Sequence, residues 1–292
     1  MSAPKHVALL VNPTSGRGAG AKIAPVVARR LRDAGIEVAE LITTSAEDVP
    51  PRTRAAIKTL ADAVVLVGGD GTVHQVVQEM AGSGMPLGLI PAGTGNDFAR
   101  ALGIPLGDPA AAANRVIAGA TRDVDLLKAK DELITTIVAS GFDSLVNERA
   151  NRMRWPKGQA RYTVATFAEL RTFKPLKYTV TIDGEVHETE AMLVAVGTCP
   201  SYGGGLRICE GASIEDGLLD VTIIKPVSRL TLLQMFPKLP KGTHIPHPAV
   251  VQLQGRTVRL EAVGVKAYAD GEPLSALPVD IEIVPGALTV IS

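Results

Sequence analysis

Cysteine is nearly absent: the chain of 292 residues holds two, Cys199 and Cys209. Their spacing suits neither a metal cage nor a disulfide framework, which fits a reducing cytoplasm. An excess of charge is missing as well, because Lys+Arg and Asp+Glu both number 30. No global basic field therefore argues for a nucleic-acid partner. No stretch approaches the roughly 20 apolar residues of a transmembrane helix. The early apolar run, Val7 to Val11, is too short for a signal peptide and ends in Asn12-Pro13. Any meeting with a membrane is thus expected at its surface. Internal repeats at solenoid periods and low-complexity tracts are also lacking.

What is present is enough for two modest domains. Hydrophobic residues make up 46% and charged residues 21%, so real cores are expected. In the first part, strand-like runs (Val7 to Val11, Ile36 to Ile42, Ala63 to Val67, Leu87 to Ile90) alternate with helix-like ones. The latter are Ala21 to Ala34, Arg52 to Leu60, Thr72 to Met80, Asn96 to Leu102 and Pro109 to Ala118, with Gly35 as a helix stop. Such alternation predicts a mostly parallel sheet covered by helices on both faces. Past about Asp123, short Val/Ile/Thr-rich runs take over: Ile134 to Ala139, Tyr178 to Ile182, Met192 to Val196, Leu219 to Ile224, Val258 to Ala262 and Ile281 to Val284. Asp183-Gly184, Asp216-Gly217 and Asp270-Gly271 punctuate them as turns. This half predicts an antiparallel β-sandwich with a helical insertion near 143–172. The expected domains are 1–124, α/β, and 125–292, a β-sandwich.

Two glycine-rich segments dominate the search for chemistry: Gly68-Gly69-Asp70-Gly71-Thr72 and Gly93-Thr94-Gly95-Asn96-Asp97. Each follows a buried-strand run and precedes a helix. Amides at such a turn make an anion site at the carboxyl edge of the sheet. Aspartates there repel an anion unless a metal lies between, so the pair of loops points to metal-bound nucleotide phosphate. A tight turn explains one glycine, but explains three within four residues poorly. The first loop, Gly16-Arg17-Gly18-Ala19-Gly20-Ala21-Lys22-Ile23, is not a P-loop, because Ala21 replaces the glycine and Ile23 the hydroxyl residue. A Rossmann fingerprint is incomplete there too, although Glu37 or Glu40 could serve as the ribose acid.

Elsewhere the readings are more open. Asp183-Gly184-Glu185 and Asp270-Gly271-Glu272 both read as hairpin turns, and spacing does not choose between them as a source of a general base. Arg149, Arg152, Arg154, Lys157, Arg161, Arg171, Lys174 and Lys177 cluster around Trp155. They suit an anionic membrane surface or an ordinary solvated helix equally well. His244 and His247 read as a surface loop rather than a metal pair. Cys199 and Cys209 flank a glycine run, Gly203-Gly204-Gly205, that reads as a flexible edge or a plain loop.

In order along nearly the whole chain, the motifs resemble lipid kinases with a diacylglycerol-kinase-type catalytic domain. The matching segments are Asn12-Pro13 with Ser15-Gly16, Gly68 to Thr72, Pro91 to Arg100, Asp216 to Val221 and Asp270-Gly271-Glu272. Pro91 to Arg100 is the most specific, since the Gly68 loop alone also suits NAD kinases and phosphofructokinases. The resemblance implies transfer of phosphate from ATP to a lipid hydroxyl, with diacylglycerol the favoured acceptor. Sphingoid bases, ceramide and phosphatidylglycerol remain open. It implies nucleotide contacts by Asn12, Thr43, Gly68, Gly69, Asp70, Gly71, Thr72, Val73, His74 and Thr94. Glu47-Asp48-Val49 stands where the family has Gly-Asp-Ala after the threonine. Asp70 and Asp97 are implied to organise a catalytic Mg²⁺ and Glu272 to act as base. A second, structural Mg²⁺ is implied at Asp216 and the carbonyls of Leu219 and Val221. The resemblance also allows residues 283–292 to return to the first domain, a homodimer, and a cytoplasmic enzyme peripheral at the inner membrane surface. An NAD kinase and a non-catalytic nucleotide- or lipid-binding regulator are the rival readings.

Overall fold

The computed structural model describes residues 3–153, 155, 164–165, 168–169 and 173–292. The chain forms two compact units. One comprises Met1–Leu126, Ile214–Gly217 and Val284–Ser292; the other comprises Leu127–Ser213 and Leu218–Ile283.

The first unit is an α/β layer structure. Its elements are β1 (His6–Val11), α1 (Ser15–Asp33), β2 (Glu37–Ile42), α2 (Val49–Ile57), β3 (Ala63–Gly68), α3 (Asp70–Met80), β4 (Leu87–Pro91), α4 (Asp97–Ala101) and α5 (Pro109–Ala118). Then comes β5 (Thr121–Ala129), which leads out into the second unit. The sheet runs β2-β1-β3-β4, all parallel, and Val290 and Ile291 of the final strand add alongside Leu87 and Gly88 of β4. All six residues of β3 are buried, as a strand covered on both faces requires. Val27, Ala28 and Leu31 of α1, Val73, Val76, Val77 and Met80 of α3, and Ala112, Ala113 and Val116 of α5 supply apolar cover. Strand order reverses between β1 and β3, the place where such sheets open a crevice at their carboxyl ends.

Three helix starts differ from the sequence reading. Pro50 and Pro51 sit at the start of α2 rather than before it, because proline lacks the N–H that a first turn leaves unpaired anyway. Helix α3 starts at Asp70, not Thr72, since Gly69 is extended and serves as its N-cap. The segment opening α1 is left-handed at Gly16, Arg17 and Gly18, so the loop after β1 is one tight coil before the right-handed helix.

The second unit is an antiparallel sandwich. It adds β6 (Glu132–Ile134), β7 (Ile137–Gly141), α6 (Phe142–Arg152), β8 (Leu176–Ile182), β9 (Glu185–Ala191), β10 (Leu193–Gly197), β11 (Leu219–Ile224), α7 (Arg229–Met235), a 3₁₀ turn (Phe236–Lys241), β12 (Val250–Gly255), β13 (Thr257–Glu261), β14 (Lys266–Ala269) and β15 (Glu272–Ala276). The first residues of β16 (Val279–Ile291) also lie here. One sheet carries the start of β16, then β13, β8 and β9; the other runs β12-β11-β10-β7-β14-β15. Val180, Val258 and Ile281 of the first meet Val138, Val196 and Val221 of the second in one core. On its other face the second sheet carries Ile137, Ala139, Leu193 and Ala195, which pack against Phe142, Val146, Leu232 and Met235. Phe142 sits edge-on to Phe173 and Phe236, with ring centroids 5.4 and 6.3 Å apart. His244 is part of this covering layer and fully buried, not on a surface loop as expected. The apolar layer strips its water and holds its pKa below the ordinary value.

The first unit is stapled by one buried carboxylate. Asp125 accepts the amides of Gly217 (2.7 Å) and Gly286 (2.8 Å), tying β5 to two distant segments. Both glycines have positive φ, 70° and 59°. Asp125→Ala should strand both amides and cost about 3 kcal/mol of stability, read as a fall in denaturant midpoint. An unchanged midpoint would show that water replaces the staple.

Candidate functional site

Three loops meet at the carboxyl ends of β1, β3 and β4. Asn12 follows β1. Its backbone amide donates to Val67 O (3.0 Å), and its Nδ2 donates to Thr72 Oγ1 (2.8 Å). Its Oδ1 accepts the amide (3.1 Å) and hydroxyl (2.8 Å) of Thr14. The Asn12 side chain therefore clips the first loop to α3 and turns the loop back on itself.

The loops after β3 and β4 touch backbone to backbone. A Cβ on Gly93 would fall 2.7 Å from the Gly69 Cα, and one on Gly69 would fall 2.8 Å from the Gly93 Cα. Glycine is needed at both because the chains themselves approach too closely for a side chain. The Asp70 carboxylate completes the clamp. Its Oδ2 accepts the Asn96 amide (2.6 Å) and its Oδ1 the Asp97 amide (2.8 Å). Asn96 sits in the left-handed region at φ 55°. Its Oδ1 accepts the Gly93 amide and its Nδ2 donates to Gly93 O, both at 2.9 Å. The space behind the paired loops, between Val73, Leu89, Pro91 and Ala99, has no room for a water.

Gly71 is different. It is exposed, and a Cβ there would meet nothing within 4 Å. Nothing in the protein requires glycine at this place, which lies in the first turn of α3. Thr72 and Val73 are buried, and their amides both bond to Gly69 O (2.9 and 3.0 Å). The buried Val73 side chain therefore offers no surface to a ligand. His74 is half-buried, and its carbonyl accepts Gln78 Nε2. Thr94 is exposed at the tip of the third loop. Thr43 is buried at the end of β2, its amide and hydroxyl both donating to Val11 O (2.9 and 3.1 Å).

Two carboxylates converge at one place in this frame. A Cβ on Gly95 would lie 2.6 Å from Asp70 Oδ2 and 3.4 Å from Asp97 Oδ2, so two carboxylates converge on that glycine. Among the described residues no group of three or more His, Cys, Asp or Glu could form a closed metal cage. A carboxylate pair without a cage is the donor set of Mg²⁺ delivered with phosphate. The other implied metal set fits less well. Asp216 lies on an exposed turn of the first unit. Leu219 and Val221 lie on β11 in the second unit, and Val221 has Val196 on one side and Leu253 on the other. Its carbonyl therefore belongs to a ladder whichever neighbour it faces.

Glu272 opens β15 and is exposed. The turn before it is left-handed at Asp270 (φ 48°) and Gly271 (φ 89°). Asp270 anchors this turn with four acceptor contacts. Its Oδ2 takes the amide and hydroxyl of Thr135 (3.0 and 3.1 Å), and its Oδ1 those of Thr136 (3.0 and 2.6 Å). The Asp183 turn is built the same way, at φ 48° and 88°, with its carboxylate on the amides of Arg256 and Thr257. Those amides hold the Asp183 carboxyl below its usual pKa. The identical build of the two turns explains why spacing alone did not separate them. In the basic insertion, Arg149 pairs with Glu169 and Arg152 with Glu148, while Trp155 is exposed. Arg154, Lys157, Arg161 and Arg171 lie outside the described residues.

Residues 6–129 match the diacylglycerol kinase catalytic domain model, and residues 136–292 match the YegS C-terminal NAD kinase beta sandwich-like domain model. A diacylglycerol kinase of Mycobacterium tuberculosis (strain ATCC 25618 / H37Rv) is 44% identical, covering 98% of this chain and 94% of the relative. The chain belongs to the diacylglycerol kinase family. A Bacillus subtilis (strain 168) diacylglycerol kinase is 30% identical over 94% of this chain and 92% of its own. A diacylglycerol kinase structure from Bacillus anthracis str. Sterne superposes at TM-score 0.76 with 23% identity, covering 100% of this chain and 98% of that one, and supports the fold.

Two kinds of glycine thus share the site of this family member. Gly93→Ala should force the two loops apart and cost about 2 kcal/mol or more. Gly71→Ala should leave stability equal or raise it by about 1 kcal/mol, since alanine favours the helix. The same change should raise the KM for ATP several-fold. Equal KM with equal stability would show that the open space beside Gly71 receives no part of the nucleotide.

Proposed function

We propose that the protein transfers the γ-phosphoryl group of ATP to the free hydroxyl of diacylglycerol, giving phosphatidic acid and ADP. The observation that carries this reading is the open Gly71 position beside two converging carboxylates, in a chain 44% identical to a diacylglycerol kinase along nearly its full length. Phosphoryl transfer needs positioning and charge neutralisation more than covalent help.

In this reading Asn12, Gly68 to His74 and Thr94 line the nucleotide. Thr43 and Val73 contribute shape and backbone, because their side chains are buried. Asp70 and Asp97 hold Mg²⁺, which screens phosphate charge when bound. Asp70 also fixes the loop that carries Asp97, so the two carboxylates are set before ATP arrives. Glu272 accepts the proton of the acceptor hydroxyl as its oxygen bonds to phosphorus and the bond to ADP breaks. Asp270 holds the turn that presents Glu272. The second metal set at Asp216, Leu219 and Val221 is no part of this proposal.

No helix among the described residues is long and apolar enough to cross a membrane. A water-insoluble acceptor then has to be met at a surface, which supports a peripheral enzyme at the inner membrane surface of the cytoplasm. The test offers labelled ATP and Mg²⁺ with diacylglycerol, sphingosine, phosphatidylglycerol or NAD in separate detergent micelle assays. Diacylglycerol should be labelled. Glu272→Gln should keep ATP binding and lower kcat by about 100-fold or more. Labelling of NAD alone would transfer the protein to soluble-acceptor chemistry. A Glu272→Gln enzyme with wild-type kcat would remove the base assignment.

A further inference from the structure

A second stretch of uneven charge, besides Arg149 to Lys177, lies outside the site. From Val221 to Leu260 there is no Asp or Glu, although the chain as a whole is balanced at 30 against 30. The same stretch holds Lys225, Arg229, Lys238 and Lys241. All four are exposed, and among the described residues none has an ion-pair partner. Arginines elsewhere such as Arg32, Arg52, Arg54, Arg122 and Arg207 each reach a carboxylate, and of the two further arginines in the stretch, Arg256 and Arg259, the latter pairs with Glu261 and Asp280.

Arg229, Lys238 and Lys241 lie on the exposed side of a short helical layer, and Lys225 just precedes it at the end of β11. Ser228 starts α7 by accepting the Thr231 amide (3.1 Å). Leu232, Met235 and Leu239 then turn inward to the core on the outer face of the second sheet. Arg229, Leu230, Gln234, Pro237, Lys238 and Lys241 are left facing water. Leu230 is 65% exposed, an apolar side chain amid cations. Carboxylates close to this layer are already engaged. Glu210, which packs against Gly242, pairs with Arg207, and the buried Asp220 accepts Gln254 Nε2 (3.0 Å). Among the described residues no carboxylate pairs with these four cations.

We propose that the face formed by Lys225, Arg229, Leu230, Lys238 and Lys241 docks the protein on an anionic lipid surface. The proposal rests on the lipid-kinase reading for its purpose but not for its measurement. Unpaired cations near a negatively charged leaflet each add attraction, and an exposed leucine adds burial in the headgroup region. Pro226, Pro237 and Pro240 restrict the backbone, so the face is preformed rather than ordered on contact.

The test is sedimentation of the full chain with phosphatidylcholine vesicles made with and without phosphatidylglycerol. Wild type should bind only the anionic vesicles and release with salt. Replacing all four cations (Lys225→Gln, Arg229→Gln, Lys238→Gln, Lys241→Gln) should weaken partitioning by about 100-fold or more. Leu230→Ala should weaken it by about 10-fold. Both variants should melt like wild type and phosphorylate diacylglycerol in non-ionic micelles at the wild-type rate. Wild-type vesicle binding by the fourfold variant would overturn the proposal. So would loss of binding on neutralising Arg149, Arg152, Lys174 and Lys177 instead, or equally tight binding of wild type to heparin. Failure of wild type to label any lipid in micelles would count against the kinase reading alone, because vesicle binding is read without ATP.

Discussion

The site hangs on one carboxylate. Asp70 stands at the end of a buried strand and receives two backbone amides from a loop twenty-six and twenty-seven residues further on. Without it, the loops at Gly69 and Gly93 would be tied only by backbone contact and the bond from the Ala92 amide to Gly68 O (2.8 Å). With it, the strand, the helix start and the Asn96 turn form one rigid corner. Hydrogen bonds to a charged acceptor are the stronger kind, and here they position a second acid, Asp97, beside the first. Like charges brought close favour a cation or a phosphate-bound metal between them. The same bonds that hold the corner together therefore also prepare its chemistry.

Much of this was legible in residue order. Strand runs such as Ala63 to Val67 and Leu219 to Ile224 stand almost as their apolar content predicts, because buried strands need little beyond continuous hydrophobicity. The glycines were legible as close approach, but the partner was not. Gly69 and Gly93 make room for each other, while Gly71 opens onto solvent. Sequence spacing carries no information about which loop a glycine faces. Asn96 was visible only as part of a motif. Its left-handed φ and double bond to Gly93 are tertiary facts, although Asn is the common non-glycine residue in that conformation.

Other parts needed the fold. His244 looked like a loop residue near prolines, yet it is fully buried, with the Ile208 backbone beside it. Strands such as Glu185–Ala191 and Val250–Gly255 escaped notice because edge strands alternate weakly and carry glutamate or glutamine outward. The acid-free stretch from Val221 to Leu260 was present in the letters throughout. It drew no attention because a missing residue type leaves no motif, whereas the basic cluster around Trp155 does. The structure shows that part of that louder cluster is already neutralised by Glu148 and Glu169.

The strand Val279–Ile291 begins in the sandwich and finishes beside Leu87 and Gly88 in the α/β unit. During synthesis, β4 leaves the ribosome some two hundred residues before that neighbour exists. Until then the nascent α/β unit carries an open, apolar parallel edge, the kind of surface that invites wrong pairing. The Asp125 staple is equally late, since its Gly286 partner lies on the same strand. Translation thus delivers the glycine corner long before it delivers the strand that closes the sheet beside it.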